Sequence, residues 1–99
     1  MNQELKYPTH KEVREALETT APTGWTISDE YHFIGVNHQA LTQNQFIAVG
    51  NVDGYYGFND EDANEVIGDM EGITDPAKIA ESFWIQLSKF YPELFKEQN

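Results

Sequence analysis

Apolar and polar positions alternate in three distinct rhythms along the chain. From Val13 to Thr20, the residues Val13, Ala16, Leu17 and Thr20 recur at helical spacing and draw one narrow stripe. Pro8-Thr9 precedes this stretch, with Thr9 placed as N-cap and Glu12 three residues on, the pattern of a capping box. Pro22-Thr23-Gly24 ends the helix and turns the chain.

The rhythm then shortens to a period of two. Trp25 and Ile27 alternate with Thr26 and Ser28, and Tyr31 to Val36 reads as a second strand. An uncharged, amide-rich loop spans Asn37 to Gln45, and Phe46-Ile47-Ala48-Val49 reads as a third strand. Asp53-Gly54 supplies hairpin chemistry, because glycine accepts the positive φ a tight turn requires. Tyr55-Tyr56-Gly57-Phe58 closes that hairpin. Strands joined by tight turns predict an antiparallel meander.

The period lengthens again after Phe58. Ala63, Val66, Ile67 and Met70 fall at i, i+3, i+4 and i+7. This spacing predicts a helix capped by Asn59 or Asp60 and ended by Gly72, with Asp60, Glu61, Asp62, Glu65, Asp69 and Glu71 fanned over its polar side. Thr74-Asp75-Pro76 then reads as a cap followed by proline at the first helical position. The last helix carries Ile79, Ala80, Phe83, Trp84, Leu87, Phe90 and Tyr91 on one stripe and runs to Pro92, while Ile85 falls off that stripe. The expected architecture is a single α+β domain over residues 1–99: an N-terminal helix, an antiparallel three- to four-stranded meander, then two C-terminal helices, in the order α-β-β-β-β-α-α.

Charge adds a second layer of information. The 99 residues carry 17 acids against 6 bases, a formal charge of −11. From residue 15 to residue 77 there are twelve acids and no Lys or Arg at all, and eight of those acids lie between Asp53 and Asp75. A field of this sign repels phosphate, so direct binding of nucleic acid is not expected. An aromatic content of 13% argues for a packed core despite the charge. There are no cysteines, which removes disulfides, thiolate metal sites and a cysteine nucleophile. No apolar run approaches the length of a membrane span. The first residues, Met1-Asn2-Gln3-Glu4, lack a charged-then-apolar leader pattern, so the cytoplasm is the expected compartment.

Asp60, Asp62, Asn64, Ile67 and Glu71 fall on positions of a calcium loop, but Glu65 stands where that loop needs glycine for its sharp turn. His32 and His38 have no third ligand at a recognised spacing. Ser28, Ser82 and Ser88 lie outside any nucleophile elbow, and Gly50, Gly54 and Gly57 do not form a phosphate loop. The expectation is a non-enzymatic chain without metal or cofactor. The pattern that points to a partner is Tyr55-Tyr56-Gly57-Phe58 abutting Asn59-Asp60-Glu61-Asp62. Carboxylates pair with guanidinium groups, and tyrosine supplies contact area at low entropy cost. The expected partner-binding residues are Tyr55, Tyr56, Asp60, Glu61, Asp62, Glu65 and Asp69.

In size, acidity and lack of cysteine the chain resembles the small acidic inhibitors that phages encode against host defences, such as anti-CRISPR, anti-restriction and uracil-DNA-glycosylase-inhibitor proteins. The resemblance is one of composition and is carried by no specific motif. It implies that carboxylates occupy the basic groove of a nucleic-acid-binding protein and exclude its phosphate backbone. The alternative expectation is a small adaptor or subunit whose acidity serves only solubility, with its interface on the C-terminal helix or the Asn37–Gln45 loop. A small hydrolase or calcium-binding domain is a third.

Overall fold

The computed structural model describes residues 6–30, 32–41, 47–52, 54–60 and 65–95, with the backbone alone at 52, 60 and 65–67. Helix α1 (His10–Thr20) begins as the sequence predicts. The Thr9 hydroxyl accepts a hydrogen bond from the Glu12 amide at 3.2 Å, and the Glu12 carboxylate accepts one from the Thr9 amide at 2.9 Å. Gly24, at φ 95°, turns the chain into the sheet.

Five strands follow: β1 (Trp25–Asp29), β2 (Ile34–His38), β3 (Ile47–Val52), β4 (Tyr55–Asp60) and β5 (Glu65–Asp69). They pair in chain order, every neighbour antiparallel, so the sheet is the expected meander with one more strand. The second strand starts later than its aromatic run suggests, at Ile34, and takes in Asn37 and His38 from the expected loop. Val52 pairs with Tyr55 across the two-residue Asp53-Gly54 connection, and Gly54 takes φ 91°.

The predicted helix across Asp60–Glu71 is not formed where the structure describes this stretch. Residues Glu65–Asp69 are strand β5, paired with β4 through Asp60↔Glu65, Asn59↔Val66 and Phe58↔Gly68. The register skips Ile67, a bulge that inserts one extra residue opposite the Phe58/Asn59 step. Three physical terms favour this outcome. Val66 and Ile67 are β-branched and suit a strand. A glycine inside a helix costs about 1 kcal/mol relative to alanine, and Gly68 stands mid-segment. A Cβ at Gly68 would run into the Gln86 amide oxygen and lie 3.1 Å from Cε1 of Phe58, so close packing under the strand requires glycine. Gly72 does not cap a helix; at φ 86° it turns the chain after β5.

Helix α2 (Pro76–Phe90) completes the fold, capped by Asp75, whose carboxylate accepts from the Ala77 amide at 3.0 Å. It is the one α-helix after the sheet among the described residues, followed by the short 3₁₀ turn η1 (Pro92–Phe95), so the two expected C-terminal helices reduce to one. The α+β order holds: helix, antiparallel sheet, helix.

Both helices pack on one face of the sheet. Register places Ile34, Val36, Ile47, Val49, Tyr56 and Phe58 on that face, and all are buried in one cluster with Val13, Leu17, Ile79, Phe83 and Leu87. Phe58 and Phe83 meet edge-to-face at 4.6 Å across the interface. The Trp84 indole N–H donates to the Thr20 hydroxyl at 2.9 Å and joins the two helices. Phe90 departs from the predicted apolar stripe and stands 39% exposed at the end of α2. On the other face, register places Thr26, Ser28, Gly35, Asn37, Ala48, Gly50, Tyr55, Gly57, Asn59 and Asp69, and neither α1 nor α2 lies over it.

Candidate protein-binding surface

The predicted partner-binding residues are distributed by strand geometry instead of sharing one helix face. Successive side chains on a strand point to opposite sides, which separates the two tyrosines. Tyr56 faces the helices, is 4% exposed, and donates its hydroxyl to the Pro8 carbonyl at 2.9 Å. It is a core residue that ties down the N-terminal segment, and cannot anchor a partner without unfolding that contact. Burial pushes its phenol pKa above the ordinary value, the Glu12 charge adds to the rise, and a hydrogen bond from Asn51 opposes it. Tyr55 lies on the other face, half-buried beside the β3–β4 turn.

The hairpin between β4 and β5 brings Asp60 and Glu65 opposite one another in the backbone register. Asp69 ends β5 across from Gly57 on the face away from the helices; it is exposed, and its carboxylate accepts a long 3.4 Å contact from the Glu71 amide. Glu61 and Asp62 lie outside the described residues.

The charge segregation read from the sequence becomes a segregation between layers. Among the described residues every Lys and Arg sits on the N-terminal segment or the helices: Lys6, Lys11, Arg14, Lys78 and Lys89. The five strands carry none, and their charged residues are Asp29, Asp60, Glu65 and Asp69. Asp29 is engaged at the seam between layers. Its carboxylate is 2.9 Å from His10 Nε2 and 3.7 Å from Arg14 Nε, and Arg14 also reaches Glu18 at 3.1 Å. These contacts hold α1 against β1. Asp69 makes no ion pair among the described residues.

His38 has a structural place. Its Nδ1 accepts from the Ala40 amide at 3.0 Å, and its ring meets Trp25 at 4.8 Å. Gly24 is required beneath it, since a Cβ there would stand 2.8 Å from His38 Nε2. The surrounding depression, about 380 Å³, is lined by Gly24, Trp25, Thr26, Asn37, His38 and Gln39 and holds no Asp, Glu, Lys or Arg. Among the described residues no three His, Asp or Glu side chains gather in a way that could hold a metal ion. No described helix is long and apolar enough to cross a membrane.

One surface involves none of the expected partner-binding residues and lies along the C-terminal helix that the alternative reading offered. Between the β5–α2 connection and the first half of α2 runs an open groove of about 480 Å³, with Ile73 and Ile85 as its apolar walls. Its only signal in the sequence was the displacement of Ile85 from the α2 stripe. Three comparisons, with family models, curated proteins and solved structures, return no match to this chain.

Proposed function

We propose that this chain is a non-catalytic, acidic protein-binding domain that blocks the basic, nucleic-acid-binding surface of a partner protein. The observation that carries the reading is the segregation of charge by layer: the sheet and its connections hold acids only, while the helical layer holds the described cations. An acid spread at random for solubility would be mixed with Lys and Arg on both layers. A one-sign surface steers a cationic partner into fast encounter and repels nucleic acid itself. The compositional resemblance to phage-encoded acidic inhibitors supports the same mechanism.

The acids proposed to meet the partner are Asp60, Glu61, Asp62, Glu65 and Asp69, with Tyr55 as the aromatic contact. Tyr56, which the sequence suggested as a second anchor, is buried in the core and is not among them.

The test begins with affinity capture of partners on the intact chain, followed by binding at rising salt. The captured protein is expected to bind DNA or RNA, the chain to displace that nucleic acid, and affinity to fall steeply as salt screens the contact. Replacing Asp60, Glu61, Asp62 and Glu65 together by Lys is expected to abolish the complex. A tight complex indifferent to both salt and charge reversal would refute the reading and favour an adaptor whose acidity serves only solubility.

A further inference from the structure

The groove beside α2 combines two features that are individually common and jointly informative. Its apolar element is out of place: Ile85 is 50% exposed, while the α2 residues on the core side, from Ile79 to Leu87, are nearly or completely buried. Lys78, Ser82 and Ile85 form one row on the helix, at i, i+4 and i+7, so the isoleucine ends a ridge that borders the groove. Ile73 also lines the groove and packs against the core, which fixes that part of its wall in place.

Its rim is acidic. Asp75 and Glu81 line the groove, and Glu71 stands exposed beside Gly72 on the chain that leads into it. The one cation on the lining, Lys78, lies 3.9 Å from Glu81, so it is already opposed by a carboxylate. A second copy of this chain is a poor occupant, because a symmetric contact would bring these carboxylates against their own images. A partner that carries positive charge on both sides of an aliphatic side chain complements both features: the aliphatic group covers Ile73 and Ile85, and the cations meet the rim.

We propose that this groove docks a projecting segment of the partner protein in which one aliphatic side chain is flanked by Arg or Lys. The proposal rests on reading the chain as an acidic protein-binding domain and adds the apolar contact that pure charge attraction lacks. Charge brings the partner in; the groove sets which basic segment stays.

The test uses the full ¹⁵N-labelled chain and two blocked pentapeptides, one with leucine between two pairs of arginines and one with glycine at the centre. The leucine peptide is expected to bind about tenfold more tightly, the gain of burying one aliphatic side chain. Saturable shifts are expected at the amides of Ile73, Lys78, Ser82 and Ile85. Ile85→Ser is expected to remove the leucine advantage, leave the glycine peptide's affinity unchanged and leave Tm within a few degrees, since the side chain is half in water. Equal binding of the two peptides, binding of neither, or shifts confined to another surface overturns the groove. So does self-association of the free chain that Ile85→Ser abolishes, which would make the face a contact between copies. The underlying reading fails by a separate route, through a captured partner whose affinity ignores salt, so the two failures are distinguishable.

Discussion

The helical layer and the sheet are built on opposite electrostatic plans. In the helical layer acids and bases alternate along each helix and pair locally, as Arg14 with Glu18 and Lys78 with Glu81. Exposed pairs of this kind contribute little each, roughly 0.2 to 1 kcal/mol, but they leave the surface near neutral. The strands hold no Lys or Arg, and of the two strand acids whose side chains are described, Asp29 is met by groups reaching over from α1 while Asp69 meets no cation among the described residues. Self-repulsion on the sheet is therefore tolerated at a cost in stability, and what offsets it is the core the two layers share. The difference teaches where to look for function: on the layer that carries acids and no Lys or Arg.

That comparison can be broken most severely at the shared core. Phe83 is fully buried and meets both Phe58 and Trp84. Phe83→Ala is expected to cost about 3 to 5 kcal/mol, read as a lower midpoint in chemical denaturation. On a small acidic domain this is enough to populate the unfolded state.

A second substitution separates the observed strand from the helix that the spacing suggests. In a helix Gly68→Ala would stabilise by about 1 kcal/mol. In β5 the added Cβ meets the Gln86 amide and the Phe58 ring, so the sign reverses. A loss of roughly 1 to 3 kcal/mol is expected, partly recovered by pairing the change with Gln86→Ala, because the Gln86 side chain is the softer of the two neighbours. A rise in Tm for the single variant would contradict the strand.

Thr9→Ala probes the helical layer alone. It removes one half of the capping box and is expected to cost about 1 kcal/mol, measured by the same denaturation, without altering the sheet's charge.

An effect of similar size concerns Tyr56, at the contact between the sheet and the N-terminal segment. Its phenol pKa is raised in the fold, so the neutral form is favoured there. The stability it contributes is complete below the unfolded value of about 10 and is lost as pH rises through the raised folded value. Tyr56→Phe is expected to flatten this alkaline decline while losing the hydrogen bond to Pro8, a net change of about 1 kcal/mol at neutral pH. An unchanged alkaline limb in the variant would assign the decline to another group.

Much of the fold was legible because its signals are local. Thr9 and Glu12 bond each other three residues apart, Asp75 caps its own helix, and Asp53-Gly54 lies within one hairpin; none depends on distant partners. The stretch from Asp60 to Met70 misled because its apolar spacing fits a helix while its strand pairing depends on β4, and the reason for Gly68 is a side chain on α2. The candidate site followed the same division. Residue types and their sign could be read directly, but the split between Tyr55 and Tyr56 needed the strand and its register.

The sequence by itself determined the antiparallel α+β order, the helix caps and the confinement of Lys and Arg to the ends of the chain, because these are properties of neighbouring residues or of composition. Only the tertiary structure decided that Glu65–Asp69 is a strand of the sheet, that Tyr56 is core, and that Ile73 and Ile85 line one groove. Those outcomes depend on which surfaces meet, and packing between residues far apart in the chain outweighs the fraction of a kilocalorie per residue by which local preference favours one backbone form over another.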